Sequence, residues 1–358
     1  MFDKRRLARL VAVLGFCLAA CLATSGRAAA QTPASAYCSP PYLINWPTAA
    51  PVWSLCWAPP NASDGINGSG LEIYQAFYRG HRVFWEASLP VLNVKYDPGG
   101  CGGSTNSYRD WQNQLSAFEA NNVISPGYAE PTVPPKTVLD HPGVDAGTFS
   151  GVAVERRTDR LILTTQMAAG WYRYIQKWTF VKNGVILPQF GFTGIQNWCL
   201  TKPHEHHAYW RFDFDIDAFP NNVVDVAKLP HNINPAGVWS PIVTETKTAR
   251  STPISTRYWR ARNKGSGRGY TIRDGAADGI ANAWAVADRW DLLYHPNELD
   301  DGGATAGPTG NAIHIDKYLN GENVNGQDIV VWYRAGYRHT SPLVPQVVGP
   351  VLYPFGPW

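Results

Sequence analysis

From Gly70 onward the chain runs as short apolar stretches, many alternating apolar and polar residues with a period of two, broken by Gly, Pro, Asn and Asp. That pattern predicts strands joined by turns. Candidate strands cover Glu72–Tyr78, Val83–Ser88, Val91–Tyr96, Thr148–Arg156, Arg160–Gln166, Gly170–Lys182, Val185–Gly191, His206–Asp217, Val238–Thr246, Arg257–Asn263 and Ile329–Tyr337. Lys182-Asn183-Gly184 between two of them is a hairpin turn signal. The longest helix-like stretch is Ala276–Arg289, while residues 97–147 and 290–327 read as loop-rich. Strands from both ends of the chain must meet to bury the aromatic residues. The expected fold is therefore mainly β, one large antiparallel β-sandwich over residues 69–358. Residues 31–68, rich in Pro, Ser, Ala and Asn, read as a partly extended lead-in.

The most informative strand spans residues 203–217. Its alternation puts His204 and His206 on one face with Trp210, Phe212, Phe214 and Ile216, and Arg211, Asp213, Asp215 and Asp217 on the other. Two imidazoles at i and i+2 on an apolar face can share one transition metal, and imidazole suits Cu, Zn, Fe and Ni alike. The acidic ladder behind them offers the hard oxygen ligands of a Ca2+-type site. A half-buried strand with hydrogen-bonded histidines is the plain alternative.

Composition narrows the class. With 33 Gly, 28 Pro and 15 Trp in 358 residues, and only 16% charged, the chain is a turn-rich aromatic β protein rather than a helical one. A net charge of +3 gives no reason to invoke nucleic acid or a membrane surface. Lys4, Arg5, Arg6 and Arg9, the short apolar run Leu10–Ala23 and Ala28-Ala29-Ala30 form an export signal over residues 1–30. Leu18-Ala19-Ala20-Cys21 also resembles a lipoprotein box, which would leave Cys21 lipidated at a membrane. Cleavage after Ala30 leaves Cys38, Cys56, Cys101 and Cys199, an even number consistent with disulfides in an oxidising compartment. Closeness in sequence favours Cys38–Cys56, which leaves Cys101–Cys199.

Three further segments, with the histidine strand, carry a resemblance. Residues 80–96 are similar to G-R-P-x-x-Y-R-x-S-L-x-E-M-x-V-P-Y. Residues 160–186 are similar to R-L-V-I-x-x-x-x-T-x-G-N-Y-[DE]-Y-x-x-x-W-x-F-x-x-D-G-x-I. Residues 328–339 are similar to D-I-V-x-W-Y-x-x-G-x-x-H, and residues 204–217 to H-x-H-x-x-x-x-R-L-D-x-D-x-D. These are motifs of the copper-containing amine oxidases. In order and spacing the chain resembles the catalytic domain of that family without its smaller N-terminal domains.

The resemblance implies a role for each matched position. His204, His206 and His339 would hold copper, and Tyr172 would be the tyrosine that copper and O2 convert to topaquinone. Asp213, Asp215 and Asp328, with the Phe214 and Ile329 carbonyls, would form a peripheral calcium-like site. The implied reaction oxidises a small primary amine to an aldehyde with release of ammonia, and reduces O2 to H2O2. A homodimer is plausible by the same analogy. The base that takes the substrate proton lies, in the family, in F-D-x-G-E-Y-G about fourteen residues after the V-P-Y tyrosine. Tyr96-Asp97-Pro98-Gly99-Gly100 resembles that motif, which makes Asp97 the first choice for the base and Asp110 the second; Tyr96 would line the quinone pocket. The chain departs from the pattern around the cofactor position, with Trp171 for Asn, Arg173 for Asp or Glu, and Ala168 for Thr. Two rivals follow from those departures: a copper–oxygen enzyme without a quinone, and a non-enzymatic copper-binding module.

Overall fold

The computed structural model describes residues 32–101, 107–110, 128–141, 143–144, 147–195, 198–228, 239–249, 257–279, 281, 284–302, 307–308, 313–340 and 344–358. Among these, two sheets of ten and eleven strands carry the fold, and there is no α-helix. In the first sheet Leu43–Trp46, Trp53–Ala58, Glu72–Tyr78, His81–Tyr96, His204–Phe214, Ile329–His339, Arg289–Leu293 and Thr246–Thr248 lie side by side in that order. At the heart of the second sheet, Arg160–Ala169, Tyr172–Val181 and Ile186–Gly194 form an antiparallel meander.

The sheets meet face to face over an aromatic core, the predicted sandwich. Trp178 of the second sheet meets Trp210 of the first edge-on at 5.1 Å. The period-two alternation explains the match: Tyr172, Tyr174, Trp178 and Phe180 share one face of their strand, while Trp210, Phe212 and Phe214 share one face of theirs, and all are buried. Two of the buried indoles tie their N–H groups to backbone carbonyls, Trp53 Nε1 to Val181 at 2.8 Å and Trp178 Nε1 to Leu71 at 2.8 Å. The predicted Lys182-Asn183-Gly184 hairpin forms. Gly184 has φ +93°, and a Cβ there would stand 2.7 Å from the Tyr78 ring, so the turn requires glycine.

Several expectations change. The lead-in contributes the Leu43–Trp46 and Trp53–Ala58 strands to the first sheet, because Ile44, Trp46, Trp53 and Trp57 are buried against it. Val83–Ser88 and Val91–Tyr96 are one strand, His81–Tyr96, crossing Pro90 through a bulge opposite Tyr209 and Arg211, where a missing N–H is tolerated. The expected helix over Ala276–Arg289 is absent from its described residues. Asp278 instead accepts the amides of Gly275 and Gly349, and Arg289 opens a strand. Of Val238–Thr246, Val238 lies outside the described residues, and the remainder contributes to Ser240–Pro241 in one sheet and Thr246–Thr248 in the other.

The outer face of the first sheet is also covered. Val91, Tyr209, Trp290, Leu292, Ile315 and Trp332 form a second apolar cluster there. The His204–Phe214 strand is therefore buried on both faces rather than one. Both expected disulfides are present, Cys38–Cys56 and Cys101–Cys199. Their separations are 18 and 98 residues. On loop entropy, removing the longer link should cost about 5 kcal/mol and the shorter about 3. Urea unfolding of the Cys101→Ser/Cys199→Ser and Cys38→Ser/Cys56→Ser pairs should thus rank the first as less stable, and the opposite ranking would contradict this.

Candidate active site

Pairing of two central strands builds the site. His204 lies directly opposite His339, and His206 opposite Tyr337, in the antiparallel ladder between His204–Phe214 and Ile329–His339. Facing positions on one side of such a ladder hold their Cβ atoms about 5 Å apart, so three imidazoles project into one space between the sheets. One ring nitrogen from each of His204, His206 and His339 lies within 4.8 Å of the other two.

From the opposite sheet comes Tyr172. The turn before it has only two residues, and Gly170, at φ +55°, supplies the left-handed conformation such a hairpin needs. Tyr172 is thereby the first residue of its strand, pointing inward at the end of the sandwich. Its hydroxyl is 2.5 Å from His204 Nε2 and 3.0 Å from His339 Nδ1.

Hydrogen bonds orient the imidazoles. His204 Nδ1 donates to the Lys202 carbonyl at 2.6 Å, and His339 Nε2 to the Val344 carbonyl at 3.2 Å. The lone pairs of His204 Nε2 and His339 Nδ1 therefore face the shared space. His206 is 1% exposed and neither of its ring nitrogens is hydrogen-bonded. A polar group so buried asks for another partner, and a metal ion is one that fits. Burial pushes the His204 pKa down to about 4, and burial followed by the neighbouring histidines pushes His206 well below its usual value. Both are neutral near pH 7, the state that binds metal. Burial also raises the Tyr172 phenol well above its ordinary range, so it stays protonated unless a cation acts on it.

The fold is that of the copper amine oxidase catalytic domain. A copper-containing benzylamine oxidase from Hansenula polymorpha matches with a TM-score of 0.63 and 16% identity, over 94% of this chain and 63% of that one. Pichia pastoris lysyl oxidase matches with a TM-score of 0.58 and 15% identity, over 85% and 51%. An Aspergillus nidulans amine oxidase gives a TM-score of 0.58 and 16% identity, over 93% and 55%. The chain thus spans about half to three-fifths of the length of these proteins. No protein-family model and no curated protein matches it.

The two aspartates considered as base sit in contrasting surroundings. The Asp97 side chain is 42% exposed and is held by Arg338 at 2.6 Å and 3.1 Å, in an ion pair open to solvent. That surface position differs from the buried one a substrate-facing base would occupy. Asp110 is partly buried and accepts a 2.6 Å hydrogen bond from Tyr174, whose ring stacks on Tyr172 at 5.7 Å and 7°. Burial raises its pKa to about 6, against the lowering effects of the Tyr174 hydrogen bond and Arg109. The signal for Asp110 was present in the chain, since it stands fourteen positions after Tyr96.

Other aromatic groups enclose the site. The Tyr96 ring lies 4.5 Å from that of His204, tilted by 31°, and its hydroxyl accepts the Trp171 indole N–H at 3.0 Å. Phe192, which the sequence reading did not single out, packs on His206 at 4.2 Å and 30°; its place in the alternation of Ile186–Gly194 was the available clue. Arg173 caps carbonyls of its own hairpin, bonding those of Gly170 and Tyr172.

Behind the strand, carboxylate oxygens of Asp213, Asp215 and Asp328 lie within 4.8 Å of one another. Arg211 Nη2 is 3.8 Å from Asp213 and Arg82 Nη1 3.8 Å from Asp215. The donor set is hard oxygen, suited to a calcium-like ion. Asp217 is apart from this group, paired with His81 and Arg268. His207 faces away from the three clustered imidazoles and contacts Arg334 at 2.8 Å, while His231 lies outside the described residues. Replacing His206 by Ala should reduce Cu2+ affinity by at least the about 10–100-fold that loss of a supporting hydrogen bond to a ligand costs. Asp215→Asn should leave it unchanged. Titration with metal analysis checks both, and full copper retention by the His206 variant would contradict the ligand assignment.

Proposed function

We propose that this protein is an exported, copper-dependent primary amine oxidase. The observation that carries the reading is the meeting of three buried imidazoles from one sheet with the Tyr172 hydroxyl from the other. Imidazole nitrogens suit copper, and His204, His206 and His339 are the residues that would hold it. A quinone derived from Tyr172 would supply the electrophilic carbonyl and electron sink for oxidising an amine, with O2 reduced to H2O2.

The chain's own residues would do the rest. Asp110 takes the α-proton of the bound amine; a carboxyl group raised to about 6 is half-ionised near that pH and is ionised, ready to accept a proton, above it. Phe192, Tyr96 and Trp171 close apolar surfaces around the site and limit water. Asp213, Asp215 and Asp328 would bind a calcium-like ion that ties the His204–Phe214 strand to Ile329–His339 at the end far from the histidines. Export is supported by the two disulfides together with the signal-like residues 1–30. Among the described residues no helix is long and apolar enough to cross a membrane. A homodimer follows the family analogy alone.

Two measurements test this. Copper loading in air should give a visible band that shifts with phenylhydrazine and is missing in Tyr172→Phe. A copper-loaded protein lacking that band, yet consuming O2, would replace this reading by a copper–oxygen enzyme without a quinone; the observation favouring that rival is that Trp171, beside Tyr172, commits its N–H to Tyr96. Asp110→Asn should keep the band but lose about 10²–10⁴-fold in kcat/KM, while Asp97→Asn, which breaks an exposed ion pair, should lose less than about fivefold. The reverse ranking would restore Asp97 as the base.

A further inference from the structure

Asp110 makes a short, directional contact with the other sheet, and its partner there is buried in the core. Tyr174 is fully buried, and its ring lies near-parallel to those of Tyr172 at 5.7 Å and Phe190 at 5.2 Å. The ring is also edge-on to His206 at 5.9 Å. Full burial among these rings restricts the phenol, so the position of its oxygen is set by the core. From there the hydroxyl reaches Asp110 Oδ2 at 2.6 Å, joining the Tyr172–Val181 strand of one sheet to Ser107–Asp110 of the other.

We propose that Tyr174 is the positioning residue of the base: its hydroxyl fixes the Asp110 carboxylate next to Tyr172 and favours the charged form that accepts the substrate proton. The inference rests on the assignment of Asp110 as base, and extends it to the group that holds and tunes it. A phenol donating to a carboxylate stabilises the anion over the acid. Burial acts the other way on Asp110. The two effects together leave a carboxyl group that is ionised at neutral pH yet basic enough to take a proton, the balance a general base requires. Other titratable groups coupled to Asp110 are Arg109 on its own strand and the phenols of Tyr96 and Tyr172. Burial holds both phenols protonated through the neutral range, while Tyr174 and Arg109 oppose the burial effect on Asp110. Tyr174 itself is kept protonated by burial and by the Asp110 charge, which maintains it as a donor.

The test follows the Asp110 carboxyl band by infrared difference titration of the intact protein without copper, using Asp110→Asn to identify the band. In Tyr174→Phe the midpoint should rise by about one pH unit, a tenfold gain in proton affinity, because the anion loses its donor. In copper-loaded enzyme the acid limb of kcat/KM should move up by the same amount. A midpoint that stays or falls would overturn the proposal. Should Tyr174→Phe fail to fold, ultraviolet resonance Raman of Asp110→Ala reads the same contact from the other side: the signature of a strongly donating buried tyrosine should disappear, and its persistence would also overturn the proposal. An infrared midpoint that shifts in a protein with no quinone band would leave this contact standing while removing the amine-oxidase reading.

Discussion

The direct pairing of His204 with His339 across two central strands is the constraint on which the site depends. Because the pleat repeats every two residues, that register also sends His206 inward and sends Glu205, His207 and Arg338 outward. A slip of one residue would exchange the two sets. The register is held by the aromatic face further along the same strand, where Trp210, Phe212 and Phe214 interlock with the core between the sheets. Tyr172 depends on the same packing, since its strand is seated by Trp178 and Phe180. Core and site are two ends of one alternating pattern.

That arrangement also separates two kinds of chemistry by the thickness of a strand. Inward, three imidazoles lie among Tyr172, Tyr174 and Phe192, and burial keeps His204 and His206 neutral. Outward, Asp213 and Asp215 stand with Asp328, and Arg82 and Arg211 approach the edge of the group. An ion that prefers nitrogen and one that prefers oxygen are thus offered different faces of the same ladder.

Much of this was legible in the sequence, where it depended on period two. The facing of His204 and His206, the inward Tyr172 and the Asn183-Gly184 hairpin all follow from local rules. Long-range facts were not readable in the same way. The outer face of the histidine strand is polar in pattern, yet Arg211 and Asp213 are buried, because a cluster built from Tyr209, Trp290 and Trp332 covers it. Trp46, Trp53 and Trp57 make the Pro-rich lead-in a pair of sheet strands, an outcome decided by burial rather than by composition. The choice between Asp97 and Asp110 turned on surroundings: a motif-like turn drew attention to Asp97, but Arg338 holds it at the surface, while Tyr174 draws Asp110 inward.

The account stands on a single claim, that His204, His206 and His339 bind one copper ion beside Tyr172. Anomalous X-ray diffraction from copper-loaded crystals, recorded on either side of the copper edge, tests it most directly. The account predicts one strong peak bonded to His204 Nε2, His339 Nδ1 and a ring nitrogen of His206, with the Tyr172 side chain beside it. A peak elsewhere, or none between the three imidazoles, would contradict it.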